Sequence, residues 1–253
     1  MKNILQAAGV SKSYVTGKGF SQTVLRDITL NIEEGEFAAI MGPSGSGKST
    51  LLYSISGMDK IDSGNVFFRD VEISKLSELE MSKVRLLEMG FIFQNIYLMK
   101  NLTIMDNIML PALRKGKESK AEIKERTLML LKQTGIIDLA QRDITEVSGG
   151  QLQRAAICRA LINNPKMVFG DEPTGALNTA AGNEVMDILI NLNQQQGSSM
   201  LIVTHDYRVA ARADRVIYML DGQIMSEKSL GKFDGKLDHR ESELSMWLQA
   251  KGI

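Results

Sequence analysis

Phe37-Ala-Ala-Ile-Met-Gly-Pro-Ser-Gly-Ser-Gly-Lys-Ser-Thr50 decides how the rest of the chain is read. Its first five residues are a short unbroken apolar run, the pattern of a strand covered on both faces. The run stops at Gly42. Gly42, Gly45 and Gly47 are then interleaved with Pro43, Ser44 and Ser46 before Lys48, Ser49 and Thr50. The pattern is G-x-x-x-x-G-K-[ST], set between a buried strand and a helix expected from Lys48 to about Ser56. Glycines let successive backbone N–H groups point inward around phosphate oxygens. The start of the helix adds the positive end of its dipole. Lys48 is expected to reach the β- and γ-phosphates and Ser49 to hold Mg²⁺. The plain alternative, a glycine-rich turn, leaves both flanks unexplained.

Working outward, residues 23–33 alternate apolar and polar, as in an antiparallel strand with one wet face, and Glu34-Gly35 turns the chain. Ser77-Glu-Leu-Glu80 has capping-box spacing and opens a helix expected to reach Met89. Gly90 separates it from a short strand, Phe91-Ile-Phe93. Helical character then dominates, with one helix expected over Lys117 to Thr134, stopped by Gly135, and another over Gly150 to Asn163, halted by Pro165. Strands return at Met167-Val-Phe169, Met200-Leu-Ile-Val203 and Val216-Ile-Tyr-Met-Leu220, the last turning at Asp221-Gly222 into Gln223-Ile-Met225. Between them Val185, Ile188, Leu189 and Leu192 mark one buried helix face.

Alternating strands and helices imply an α/β fold. The expectation is a P-loop NTPase core with a mostly parallel sheet, an N-terminal antiparallel β part and an inserted α-helical subdomain. Its boundaries are a single domain over 1–228, with a RecA-like core of about 1–93 and 164–228, a helical lobe of about 94–163, and a partly helical tail over 229–253. In the tail, Asp238-His-Arg-Glu241 is expected to cap a short helix that carries Leu244, Trp247 and Leu248 on one side, packed on its own domain or against a partner.

Composition narrows the surroundings. Among 253 residues, Lys+Arg and Asp+Glu are both 30, so the net charge is zero and no whole-molecule field steers nucleic acid. Cys158 is the single cysteine, expected to be buried and inert; it excludes an intramolecular disulfide and fits a reducing compartment. No apolar run approaches the roughly 18–20 residues that span a bilayer. The start, Met1-Lys-Asn-Ile-Leu-Gln6, turns polar too soon for a signal peptide. The expected location is cytoplasmic, with no direct transmembrane span and no nucleic-acid partner. Work at a membrane would require another chain to supply the spans.

Three further motifs follow the glycine loop. Met167-Val-Phe-Gly-Asp171 is a strand ending in an acid, where Asp171 meets a Mg²⁺ shell, and Glu172 is the candidate general base for an attacking water. Between the two strands lies Val147-Ser-Gly-Gly-Gln151, and beyond them His205 in Val203-Thr-His-Asp206. With Gln94, this ordered set resembles the nucleotide-binding domain of ATP-binding cassette (ABC) proteins, over about residues 4 to 228. The resemblance implies an ATPase that uses ATP and Mg²⁺ and closes as a homodimer with ATP sandwiched between subunits. Ser148, Gly149, Gly150 and Gln151 of one copy would face the ATP held by Gly42–Thr50 of the other. Ser148 is also suited to an ordinary helix N-cap in either case. Gln94 would touch Mg²⁺ and the water, His205 the γ-phosphate, and Tyr14, in Lys12-Ser-Tyr14, would stack on adenine unless it simply packs. Three positions depart from the family's usual residues: Val147 replaces Leu, Gly170 replaces a common Ala, and Asn178 replaces the Asp that usually ends the D-loop.

Gly90-Phe-Ile-Phe-Gln94, Leu102-Thr-Ile-Met-Asp-Asn-Ile-Met-Leu-Pro111 and Asp171-Glu-Pro-Thr-Gly-Ala-Leu-Asn178 are similar to the branch that serves lipoprotein release, macrolide efflux and antimicrobial-peptide resistance. That resemblance implies a separate membrane permease as partner and a peripheral position at the inner face of the cell membrane. Ile96, Tyr97, Leu98 and Met99 would either form an apolar patch for the permease or be buried in the lobe. The alternative within the family is a soluble regulatory ATPase.

Overall fold

The computed structural model describes residues 2–15, 17 and 19–251. Met1, Thr16, Lys18, Gly252 and Ile253 lie outside the described residues, and with them the first residue of the expected domain and the last two of the expected tail. Chain order begins β1 (Asn3–Val15), β2 (Ser21–Glu33), β3 (Phe37–Met41), α1 (Lys48–Ile55), β4 (Ser63–Phe68), β5 (Val71–Glu72), α2 (Glu78–Glu88) and β6 (Met89–Ile92). Then come α3 (Ile104–Lys115), α4 (Lys120–Gln133), α5 (Gly149–Leu161), β7 (Met167–Asp171) and α6 (Thr179–Gln196). The order closes with β8 (Ser199–Val203), α7 (Tyr207–Ala210), β9 (Arg215–Leu220), β10 (Gln223–Ser229) and α8 (Leu237–Gln249). These elements form two compact units: Met1–Met81 with Ser199–Ile253, and Ser82–Ser198.

The first unit holds two sheets. One is antiparallel, in the order β2-β1-β4-β5. In β2 the inward residues are Leu25, Ile28, Leu30 and Ile32. The alternation slips once, between Leu25 and Ile28, where Asp27 is left-handed (φ 52°) and the pairing register shifts. This β-bulge lets the strand keep its apolar side on the core despite the extra residue. The other sheet centres on β3, whose five residues are all buried. β8 and β9 flank it, both parallel, and β10 returns antiparallel beside β9. A parallel strand with neighbours on both sides and layers above and below must read as a continuous apolar run, as Phe37–Met41 does.

The second unit pairs β6 with β7 in parallel and packs α5 against β6, with α3, α4 and α6 around it. β6 starts at Met89, not Phe91, and α2 stops at Glu88. Gly90 is therefore a strand residue rather than a separator. A Cβ there would stand 2.6 Å from the Ala160 carbonyl oxygen, so glycine permits α5 to close on the strand. The charged helix expected from Lys117 begins at Lys120, because Ser119 and Glu122 form a reciprocal capping box. α3 continues through Pro111; its ring removes one backbone donor without breaking the helix.

Within the tail, Leu237–Gln249 form the helix α8. Its N-cap is Lys236, and Asp238 lies in the first turn instead of capping, where its charge still favours the positive helix end. Leu244 and Leu248 are buried, and the Trp247 ring meets Tyr218 edge-to-face with centroids 6.4 Å apart. The tail thus packs on its own unit. Arg240, also buried, donates to the carbonyls of Ala211 (2.7 Å), Ala213, Leu230 (2.9 Å) and Gly231.

Candidate nucleotide site

In the first unit the chain leaves β3 through the glycine loop. A Cβ on Gly42 would lie 2.0 Å from the Met219 carbonyl oxygen, so no other residue fits there. Gly45 (φ 81°) and Gly47 (φ 96°) take left-handed conformations that side chains disfavour. Gly47 is the N-cap of α1 and makes no side-chain capping hydrogen bond. Lys48 folds back over the loop: its ammonium donates to the carbonyls of Gly42 (2.9 Å) and Pro43 (2.8 Å). The Ser46 hydroxyl is buried without a hydrogen-bond partner. A helix N-terminus, a buried cation and an orphaned hydroxyl in one loop are the donor set an anionic phosphate chain satisfies. Ser49 and Thr50 follow on the first turn of α1.

His205 belongs to the same unit. β3 and β8 run parallel with Ile40 opposite Val203, and the Thr204 amide donates to the Ile40 carbonyl at 3.1 Å. The turn after β8 therefore leaves from the same sheet edge as the glycine loop, the carboxyl edge where open α/β sheets take their ligands. His205 is exposed there, just before Asp206, which caps α7 by accepting from the Arg208 amide. Tyr14 lies near the end of β1. Its hydroxyl donates to Asp59 Oδ2 at 2.6 Å, and 41% of its surface stays exposed.

The second unit repeats the edge logic. β6 and β7 are parallel, with Ile92 opposite Gly170, so Gln94 and the Asp171-Glu172 pair emerge at one end. Asp171 is buried at the end of β7. Glu172 is left-handed (φ 47°), a strained conformation for a residue with a Cβ, and its carbonyl accepts from the Gly175 amide at 3.0 Å. That tight turn folds Gly175 against Gln94: a Cβ on Gly175 would meet Gln94 Nε2 at 3.2 Å and Glu172 Cβ at 3.3 Å.

Ser148 caps α5 by accepting from the Gln151 amide at 3.4 Å, and Gln151 Oε1 accepts from the Ser148 amide at 2.8 Å. Gln151 thus serves its own turn. A Cβ on Gly149 would meet nothing within 4 Å, so its backbone is open to approach. This turn lines a cavity of about 400 Å³, which it shares with Ala176, Leu177 and Asn178. Asn178 caps α6, accepting from the Ala181 amide at 2.9 Å; the amide oxygen fills the role a carboxylate would have there.

The structure brings together Tyr14, Gly42–Thr50 and His205 within one unit, and Gln94, Ser148–Gln151, Asp171 and Glu172 within the other. Four supporting residues have no signature in the sequence. Lys12 and Asp59 surround Tyr14. Asn107, 1% exposed, holds the segment after Gln94: its side chain accepts from the Met99 amide at 2.7 Å and donates to the carbonyls of Met99, Leu102 and Thr103. Arg159 donates to the carbonyls of Ile96 (3.0 Å) and Tyr97 (2.7 Å). Held this way, the segment exposes Tyr97 and Met99 and half-buries Ile96 and Leu98. Burial of all four, the second expectation for them, is not found. Cys158 is buried beside the Thr134 hydroxyl (3.2 Å), and burial pushes its thiol up to about 12.

A glycine loop between a central buried strand and a helix, beside parallel neighbours, is the arrangement of P-loop nucleoside triphosphatases. Residues 25–175 match the family described as ABC transporter, and the chain belongs to that family. It is 40% identical over 227 residues, 90% of this chain and 92% of the relative, to the lipoprotein-releasing system ATP-binding protein LolD 1 of Chlorobium chlorochromatii. It is also 40% identical to an uncharacterized ABC transporter ATP-binding protein, MJ0796, of Methanocaldococcus jannaschii, over 92% of this chain and all of that one. The dimeric structure of MJ0796 in a post-hydrolysis state bound to ADP and Pi superposes with a TM-score of 0.84 at 39% identity, covering 90% of this chain and 100% of that one. CbiO1 of Clostridium perfringens, part of an ABC transporter complex, gives 0.81 at 30% identity, over 90% of this chain and 89% of that one. Among the described residues, no helix is long and apolar enough to cross a membrane.

Proposed function

We propose that this chain hydrolyses ATP as the motor subunit of a bacterial ABC transporter, driving a separate membrane permease by ATP-dependent closure of a homodimer. The observation that carries the proposal is the presence in one chain of two partial anion sites: the Lys48 loop, rich in donors, and the Ser148–Gly150 turn, with an open backbone at Gly149. In this reading Lys48 exchanges the Gly42 and Pro43 carbonyls for the β- and γ-phosphates, and Tyr14 takes the adenine. Ser49, Gln94 and Asp171 would hold Mg²⁺, which would neutralise phosphate charge there. Glu172 orients and deprotonates the attacking water, and His205 contacts the γ-phosphate. Ser148, Gly149 and Gly150 of the second copy close over it, with Gln151 bracing their turn.

The branch reading places the permease contact at the exposed Tyr97 and Met99, alongside Leu110 and Leu113 of α3, on the inner face of the cell membrane. Antimicrobial-peptide resistance or export is the task most in keeping with the Asp171–Asn178 wording. The test is the solution mass of the Glu172→Gln protein with and without ATP. A doubling from 28.0 kDa with ATP is expected, together with retained ATP binding and slowed hydrolysis. A monomer with full turnover would remove the role given to Glu172. Co-purification of a membrane permease with the wild-type chain is the matching test of partnership.

A further inference from the structure

Beyond the stacking role proposed for Tyr14, and resting on that reading, the surroundings of its ring carry an inference of their own. Tyr14 stands near the end of β1, where a side chain held only by stacking would swing freely and lose entropy on binding. It is not free. Its hydroxyl donates to Asp59 Oδ2 at 2.6 Å. Asp59 is fixed in turn. Its amide donates to the Tyr53 carbonyl of α1 at 3.1 Å, and its other carboxylate oxygen accepts from the Lys12 ammonium at 3.0 Å.

Lys12 is buried, donates also to the Lys60 carbonyl at 2.6 Å, and lies 4.9 Å from the centroid of the Tyr14 ring. One face of the ring is therefore covered by a cation, and the exposed surface belongs to the remainder of the ring. Burial pushes the Asp59 carboxyl up, but the hydrogen bonds from Tyr14 and Lys12 outweigh it and hold the group below its ordinary value. The carboxylate is thus charged, and Lys12 offsets a negative charge that would otherwise repel a nucleotide.

We infer that Asp59 and Lys12 are positioning residues for the purine: they lock the Tyr14 ring by its hydroxyl and one face. The other face becomes a stacking surface in fixed register with the phosphate loop, through α1. The loop and the platform are joined by one short path: Lys48–Ile55, the turn to Asp59, and the Tyr14 hydroxyl. A pre-ordered platform spares ATP the cost of arranging it.

The experiment compares two ligands on the full-length protein by calorimetry in EDTA, where no turnover occurs: ATP, and inorganic tripolyphosphate, which has no base. Asp59→Asn and Tyr14→Phe keep the size of their side chains, and Tyr14→Phe keeps the ring. Each is expected to weaken ATP about threefold to tenfold, the scale of one ordinary hydrogen bond, with tripolyphosphate affinity unchanged. Unchanged tripolyphosphate binding also reports that the variant is folded. If ATP affinity does not move, or if both ligands weaken equally, the contacts only brace the fold; the inference then falls and the phosphate-loop reading stands. If the wild-type protein binds neither ligand, the phosphate-loop reading falls and takes this inference with it.

Discussion

At the scale of single residues, Glu172 is the most instructive. A non-glycine residue at φ 47° costs on the order of 1–3 kcal/mol, and it persists here because β7 before it and the Gly175 turn after it fix the backbone. Glu172→Gly should therefore raise the urea midpoint, by about 1 kcal/mol of stability, while abolishing hydrolysis; a loss of stability would show that the conformation is unstrained. Gly175→Ala places a methyl 3.2 Å from Gln94 Nε2 and should lower turnover several-fold with little change in ATP affinity, read from kcat and nucleotide binding side by side. Cys158 gives a prediction in pH. Its folded value is near 12 and the ordinary thiol value is 9.0, so the buried neutral form stabilises the fold fully below about pH 9. Above that the unfolded chain releases its proton first, and stability falls progressively toward pH 12. Consistent with the same burial, a thiol reagent at pH 8 should label Cys158 only when urea unfolds the protein.

At the scale of elements, two polar side chains act as fasteners. Asn107 on α3 ties four backbone groups of the Met99–Thr103 stretch. Asn107→Ala should speed hydrogen exchange over residues 96–103 while leaving the α5 amides protected; unchanged exchange would mean that Arg159 alone holds the segment. Arg240 clamps α8 to the carbonyls around it, and Arg240→Met should cost about 2–4 kcal/mol in urea unfolding by leaving those carbonyls buried without donors.

These fasteners also mark where the sequence stopped being informative. Apolar runs such as Phe37–Met41 and Met167–Phe169 announce buried strands because burial on both faces leaves no other composition. The glycine loop was legible because its spacing is dictated by phosphate geometry. Asp59 and Arg240 were not, because each acts on groups that only the fold brings near; Asn107 acts on the loop just before its own helix, whose path has no signature in the sequence. The Asp238 cap failed for a different reason: a helix can begin two residues earlier with no side-chain cap when its later turns are held by packing and by Arg240. Met89 and Gly90 read as helix end and break because the approach of Ala160 that selects glycine is a tertiary contact.

At the scale of the whole molecule, the proposed closure uses two copies, because each chain carries one set of motifs. Adding Ser148→Arg to the Glu172→Gln protein should leave ATP bound yet hold the mass at 28.0 kDa, because the bulky side chain obstructs the turn proposed to meet the partner's ATP. Doubling of the mass despite the arginine would place the contact elsewhere.

The order of the strands also bears on how the protein is made. β3 is complete at Met41, but both of its neighbours, β8 and β9, come from residues 199–220. At about 5–20 residues per second, a ribosome delivers those partners on the order of ten seconds after the glycine loop has emerged. Ser82–Ser198 is contiguous and has its own strands and helices, so it is free to fold during that wait. The loop encoded near the beginning is thus among the last parts to be shaped, and a nascent chain released before Leu220 leaves it without the sheet that gives it form.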